Sequence, residues 1–281
     1  MPILSVEGLN KHYPSFDLRD VSFSLESGYI MGFIGANGAG KTTTLKSILN
    51  LVNKDSGKVT MLGRDFDSNE ISLKKEIGFM FGGVDYYTKT RIRRITGVFR
   101  RFFSTWDDDV YQRYMKRFRL DESKKVSELS NGMRIKYSLA LAMSHGARLL
   151  ILDEPTSGLD PVARDDLLAL FQELIEEGER SILFSTHITG DLEKCADYIT
   201  YIENGRIIES REKDDLIAAY RIVKGPKNLL PGLKPSLISR KDNAFGFAGL
   251  IRTADLPESA DLLAEPPTLE EIMIYHAKKG G

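Results

Sequence analysis

Residues 31–43 read MGFIGANGAGKTT, and this stretch decides the fold. Met31-Gly32-Phe33-Ile34 is a short apolar run, the pattern of a strand buried on both faces of a parallel sheet. It breaks at Gly35-Ala36-Asn37-Gly38-Ala39-Gly40-Lys41-Thr42, which matches the phosphate-loop pattern GxxxxGK[ST], and Thr43 continues into a helix-forming segment. Glycines let backbone N–H groups turn toward phosphates, and the helix N-terminus adds a positive partial charge. Lys41 can reach the β- and γ-phosphates, and the Thr42 hydroxyl suits Mg²⁺. A chance match in a chain of this length is about one in a hundred, so residues 35–43 are read as a nucleotide site.

Working outward, EIGFMF (76–81), RLLILD (148–153) and SILFST (181–186) repeat the buried-strand pattern. Helical segments separate them. In PVARDDLLALFQELIEEG (161–178), Leu167, Leu170, Phe171 and Leu174 share one face and Pro161 suits the first turn. Strand–helix alternation predicts an α/β fold of phosphate-loop type with a mainly parallel sheet. Residues 3–9 and 18–25 read as half-buried strands, and 198–210 reads as a hairpin around Asn204-Gly205. These three are expected to form an antiparallel β annex. Residues 89–145 read as an inserted helical subdomain, with Trp106 and its aromatic neighbours packed in its core. The first domain is placed at 1–216. Residues 217–281 form a small C-terminal α+β extension, rich in Gly and Pro, for dimerisation or regulation. Its last helix is expected to carry Thr268 as cap and Glu271 as the capping-box partner.

The chain has 281 residues and a formal net charge of −1, which gives no global attraction to nucleic acid. A single cysteine, Cys195, excludes an intrachain disulfide and reads as a small buried residue. No stretch approaches the roughly 20 apolar residues that span a bilayer. The N-terminus lacks the apolar run of a signal peptide. The expectation is a soluble protein, or one held at a membrane through a partner.

Two further runs carry chemistry. In Leu149-Leu150-Ile151-Leu152-Asp153-Glu154 an apolar strand ends in two carboxylates. Asp153 can hold Mg²⁺ and Glu154 can polarise an attacking water as general base. Leu129-Ser130-Asn131-Gly132-Met133 opens a helix whose N-terminal N–H groups would face an anion. Taken singly, each run also reads as an ordinary helix cap.

The set resembles the nucleotide-binding subunit of ABC transporters. The phosphate loop, LSNGM, LILDEP, SGLD (157–160) and His187 occur in that family's order over roughly residues 1–216. The resemblance implies an ATPase that binds ATP and Mg²⁺ and powers a transporter, with Lys41, Glu154 and His187 catalytic and Thr42 and Asp153 at the metal. It implies two such subunits, as a homodimer or a heterodimer, paired head to tail. Ser130, Asn131, Gly132 and Met133 would then contact the γ-phosphate held by the other subunit, and Asp160 would signal between the sites. Tyr13 matches the aromatic residue that stacks on adenine, against the alternative of a packed loop tyrosine. A separate transmembrane subunit, a place on the cytoplasmic face of the cell membrane and no nucleic-acid partner follow, in the manner of bacterial exporters. The alternative is a soluble ATPase of the same family acting on nucleic acid or ribosomes. The single cassette, the neutral charge and the lack of long coiled coils argue against it.

Two departures matter. The usual LSGGQ signature carries Asn131 and Met133 at its third and fifth positions. After the strand IGFMF the family places a glutamine or a carboxylate, and here stands Gly82. Either the loop turns Asp85 inward toward the metal or a water serves instead.

Overall fold

The computed structural model describes residues 1–81, 87–176, 180–233, 235–242, 246–257 and 262–278, in two compact units, Met1–Ile208 and Glu209–Gly281. The first unit opens with the antiparallel pair β1 (Pro2–Tyr13) and β2 (Phe16–Glu26). In β2, Leu18, Val21, Phe23 and Leu25 are buried while Ser22 and Ser24 are exposed, the period of a strand with one face in the core. Next, β3 (Ile30–Ile34), buried at every residue, feeds α1 (Lys41–Ile48) through the glycine turn. β4 (Ser56–Met61) and β5 (Arg64–Asp65) then complete an antiparallel sheet of order β2-β1-β4-β5.

From there α2 (Phe66–Lys74) leads into β6 (Ile77–Phe81). The helical insert follows, as α3 (Ile92–Phe102), α4 (Asp108–Arg117) and α5 (Asn131–Ser144). Its interior is tied by hydroxyls: Thr96 Oγ1 lies 2.9 Å from both Tyr111 OH and Tyr137 OH, all three side chains buried. Burial raises both phenols, Tyr137 and Tyr111, far above the ordinary tyrosine range. Phe103 is buried there, but Trp106 is only half-buried, its Nε1 donating to Asp108 at 2.8 Å, and Phe102 is 60% exposed. The aromatic run is therefore core in part only, because it straddles the end of α3, where successive residues point to opposite sides.

β7 (Leu149–Asp153), α6 (Pro161–Glu176), β8 (Ser181–Thr186), α7 (Thr189–Cys195), β9 (Tyr198–Glu203) and β10 (Arg206–Glu212) finish the second sheet, of order β10-β9-β3-β8-β7-β6. β9, β3, β8, β7 and β6 pair in parallel. Met31, Phe33, Leu149, Ile151 and Leu183 join Leu4, Leu9, Leu45 and Ile48 in one core. Cys195 is buried, as expected.

One expectation is corrected. The turn at Asn204-Gly205 forms with both residues at positive φ (47° and 74°), but its strands do not join the antiparallel annex. β9 pairs with β3, so the hairpin extends the central sheet. Gly205 is needed on space as well as on φ: a Cβ there would meet the carbonyl oxygen of Asp17 at 1.8 Å. Its N–H donates to the Ala39 carbonyl at 3.0 Å, which braces the glycine turn from behind.

In the second unit, α8 (Lys213–Ala218), β11 (Tyr220–Gly225), α9 (Leu230–Leu233), β12 (Leu237–Asp242), β13 (Phe247–Arg252), β14 (Leu263–Glu265) and α10 (Leu269–Ala277) make an antiparallel sheet of order β12-β13-β11-β14 with short helices. Val223, Leu233, Phe247 and Ile251 form its core. Thr268 and Glu271 make the expected capping box, Thr268 Oγ1 accepting from Glu271 N–H at 3.1 Å and Glu271 Oε2 from Thr268 N–H at 2.9 Å. The buried Glu209 carboxylate accepts from Tyr220 OH and Arg211, both at 2.5 Å.

Candidate functional site: a nucleotide cleft at the ends of three strands

Register builds the site. Ile34 pairs with Thr186 and Asp153 with Ser185, so the segments leaving β3, β7 and β8 emerge level with one another. The carboxyl ends of parallel strands are where such folds bind ligands. Gly40, at φ 113°, turns the chain into α1, and a Cβ on it would meet Leu18 at 2.7 Å. Lys41 is only 6% exposed; its ammonium donates to the carbonyls of Gly35 (2.7 Å) and Ala36 (3.2 Å) and lies 3.4 Å from Glu154 Oε1.

The Thr42 hydroxyl donates to Asp153 Oδ2 at 2.8 Å. On its other oxygen Asp153 accepts from Ser185 Oγ at 2.6 Å, and Ser185 Oγ in turn accepts the Glu154 N–H at 3.0 Å. Ser185 thus holds both carboxylate residues at the end of β7. The sequence alone does not single it out, since Ser181 and Thr186 are buried polar residues of the same strand; the polar end of the apolar run Ile182-Leu183-Phe184, level with Asp153, is the signal that marks it. Glu154 itself stands at φ 50°, and its Oε2 is 2.9 Å from His187 Nδ1.

Tyr13, Asn37, Gly38, Gly40, Lys41, Thr42, Thr43, Glu154, Ser157 and His187 line one cleft of about 850 Å³. The four signature residues are not among its walls. Ser130 is exposed and caps α5, its Oγ accepting from Met133 N–H at 3.3 Å. Asn131, Gly132 and Met133 are half-buried, and the Asn131 amide donates to the Ser157 carbonyl at 2.9 Å. Asp160 caps α6, accepting from the N–H groups of Val162 and Ala163 at 3.0 Å, and those bonds, Ala163's first, hold its carboxyl below the usual range. Gly82 and Asp85 lie outside the described residues.

The oxygens of Thr42 and Asp153 are the donor type that Mg²⁺ takes, with room left for phosphate and water ligands. Among the described residues no group of three or more His, Cys, Asp or Glu side chains forms an all-protein metal site.

A glycine-rich phosphate loop, a strand-end carboxylate pair and a histidine around one cleft define a phosphate-loop nucleoside triphosphatase. The ABC transporter family model matches residues 18–157. The ABC transporter ATP-binding protein YtrB of Bacillus subtilis (strain 168) is 32% identical over 279 residues, covering 94% of this chain and 93% of YtrB. A Nod factor export ATP-binding protein I of Rhizobium johnstonii is 32% identical over 294 residues, covering 96% of this chain and 93% of its own length. A solved ATP-binding subunit of an ABC transporter superposes with a TM-score of 0.68 and 28% identity, over 76% of this chain and 91% of that one. The chain belongs to the ATP-binding proteins of ABC transporters, and it is an ATPase.

Proposed function

We propose that this protein is the ATP-hydrolysing subunit of a bacterial exporter, and that it works as a head-to-tail pair, homodimer or heterodimer, at the cytoplasmic face of the cell membrane. The observation that carries the reading is a split. Lys41, Thr42, Glu154, His187 and Tyr13 line one cleft, while Ser130 is exposed at the N-terminus of α5 and is not among the residues lining it. A second subunit that brought its Ser130 and the N-terminus of its α5 to this cleft would supply the missing anion contacts.

In this reading Tyr13 stacks on adenine, and the N–H groups of residues 36–43 receive the phosphates. Lys41 exchanges its contact with Glu154 for the β- and γ-phosphates. Thr42 and Asp153 would hold Mg²⁺, which would neutralise developing charge on the phosphoryl oxygens. Glu154 takes the proton from the attacking water. The water oxygen bonds to the γ-phosphorus, the bond to the β–γ bridging oxygen breaks, and ADP and phosphate leave. His187 orients the γ-phosphate, and Asp160 relays closure to the other site.

Among the described residues no helix is long and apolar enough to cross a membrane; in this reading, supported by relatives named as ATP-binding proteins of transporters, the transport path belongs to a separate membrane subunit. The export direction is supported by the relative named for Nod factor export. Affinity purification of the tagged chain from solubilised membranes tests the reading. Recovery of a stoichiometric polytopic membrane protein supports it. Recovery with ribosomes or nucleic acid, and with no membrane protein, would replace it with the soluble alternative.

A further inference from the structure

Strand β1 ends on Lys11-His12-Tyr13, and Asp55, just before β4, grips that end at three points. Its Oδ1 accepts from Lys11 Nζ at 2.8 Å, its Oδ2 from the His12 backbone N–H at 2.6 Å, and its own N–H donates to the Asn10 carbonyl at 2.8 Å. Residues 11–13 pair regularly with β2, so Lys11 and Tyr13, two apart on an extended strand, project to one face. Lys11 Nζ stands over the Tyr13 ring, 5.4 Å from its centroid, and the lysine side chain is only 16% exposed. Tyr13 lines the nucleotide cleft and Lys11 does not. The ammonium thus lies over one face of a ring that borders the cleft. Its ion pair and its place outside the cleft remove it from phosphate binding.

We infer that Lys11, fixed by Asp55, is a positioning residue for the adenine base. It locks the Tyr13 ring and draws its π density to one side, so that the other face stacks more strongly on an electron-rich purine. The inference rests on the reading of Tyr13 as the adenine-stacking residue, and goes beyond it by naming what holds and tunes that ring. A cation over an aromatic face at such a site changes affinity by about three- to tenfold.

The test is calorimetric titration of the full-length chain with Mg²⁺–ATP and, separately, with Mg²⁺–tripolyphosphate, which has phosphates but no base. Lys11→Met and Asp55→Asn should weaken ATP binding about three- to tenfold and leave tripolyphosphate unchanged. Lys11→Arg should recover most of the loss, and Lys11→Met should cost nothing further when added to Tyr13→Ala. Equal losses for both ligands would overturn the inference, because Lys11 would then be acting on phosphate charge. So would wild-type ATP affinity in Lys11→Met alongside weakened binding in Tyr13→Ala, which leaves Tyr13 stacking unaided. If Tyr13→Ala itself binds ATP like the wild type, the reading of Tyr13 falls and the inference with it.

Discussion

Glu154 sits in the left-handed region at φ 50°, where a residue with a Cβ carries a cost on the order of 1 kcal/mol or more. Its N–H bond to Ser185 and its carboxylate contacts with Lys41 and His187 hold it there. In the proposed reading these contacts aim the general base before substrate arrives. Glu154→Gln should therefore bind ATP with little change and lower turnover by roughly 10² to 10⁴, read by phosphate release under saturating Mg²⁺–ATP. Turnover near the wild-type value would remove Glu154 from that role. Ser185 allows a second test. Ser185→Ala takes the donor from the buried Asp153 Oδ1, whose orphaning costs about 1–3 kcal/mol, and one of two acceptors from the Glu154 N–H, which keeps the Ser185 carbonyl at 3.2 Å. Turnover should fall about ten- to a hundredfold, and the Mg²⁺ concentration for half-maximal rate should rise. An unchanged Mg²⁺ dependence would mean that Ser185 only fills space.

Elements differ in how far local signals reach. The strand, turn and helix at 31–48 are legible because an apolar run, spaced glycines and Lys41-Thr42 are contiguous, and the structure places β3 and α1 on that pattern. The capping box at Thr268 and the buried face of α6 are legible for the same reason. Which sheet the hairpin at Asn204-Gly205 joins is not, since β9, besides its hairpin partner β10, pairs with β3, far off in the chain. Ser185 is hidden in the same way: its partners lie across a parallel register with β7. A buried histidine beside the insert gives an element-scale prediction. His145, just past the end of α5, is stacked on Phe103 with ring centroids 4.0 Å apart, and its Nδ1 has no hydrogen-bond partner among the described residues. Burial pushes it down from 6.5 to about 4. The unfolded chain takes up this proton below about pH 6.5 and the folded chain only near 4, so stability falls as pH drops through that window, by up to about 3 kcal/mol. Aspartates held low, Asp55 by Lys11 first, add their loss below their ordinary value of 3.8, and Glu70 and Glu173, held low by Lys74 and Arg117 first, below 4.5. Denaturant unfolding at pH 7 and pH 4.5 should show the drop, and His145→Phe, which keeps the stack, should flatten most of it. An identical pH slope in that variant would contradict the account.

At the scale of the whole molecule, the likeness to YtrB runs over 94% of the chain and so extends into the second unit, which the family model's match at 18–157 does not reach. With a net charge of −1, net charge neither draws two copies together nor drives them apart, and in the proposed reading the nucleotide between them drives closure. The proposed composite site rests on Ser130, exposed at the N-terminus of α5 and not among the residues that line the cleft. Sedimentation velocity of Glu154→Gln tests it most directly, since blocked hydrolysis should preserve the closed pair. The account predicts a monomer without nucleotide, and a dimer at saturating Mg²⁺–ATP that Ser130→Ala weakens. A monomer at saturating Mg²⁺–ATP, in a variant shown by calorimetry to bind that ATP, would contradict it.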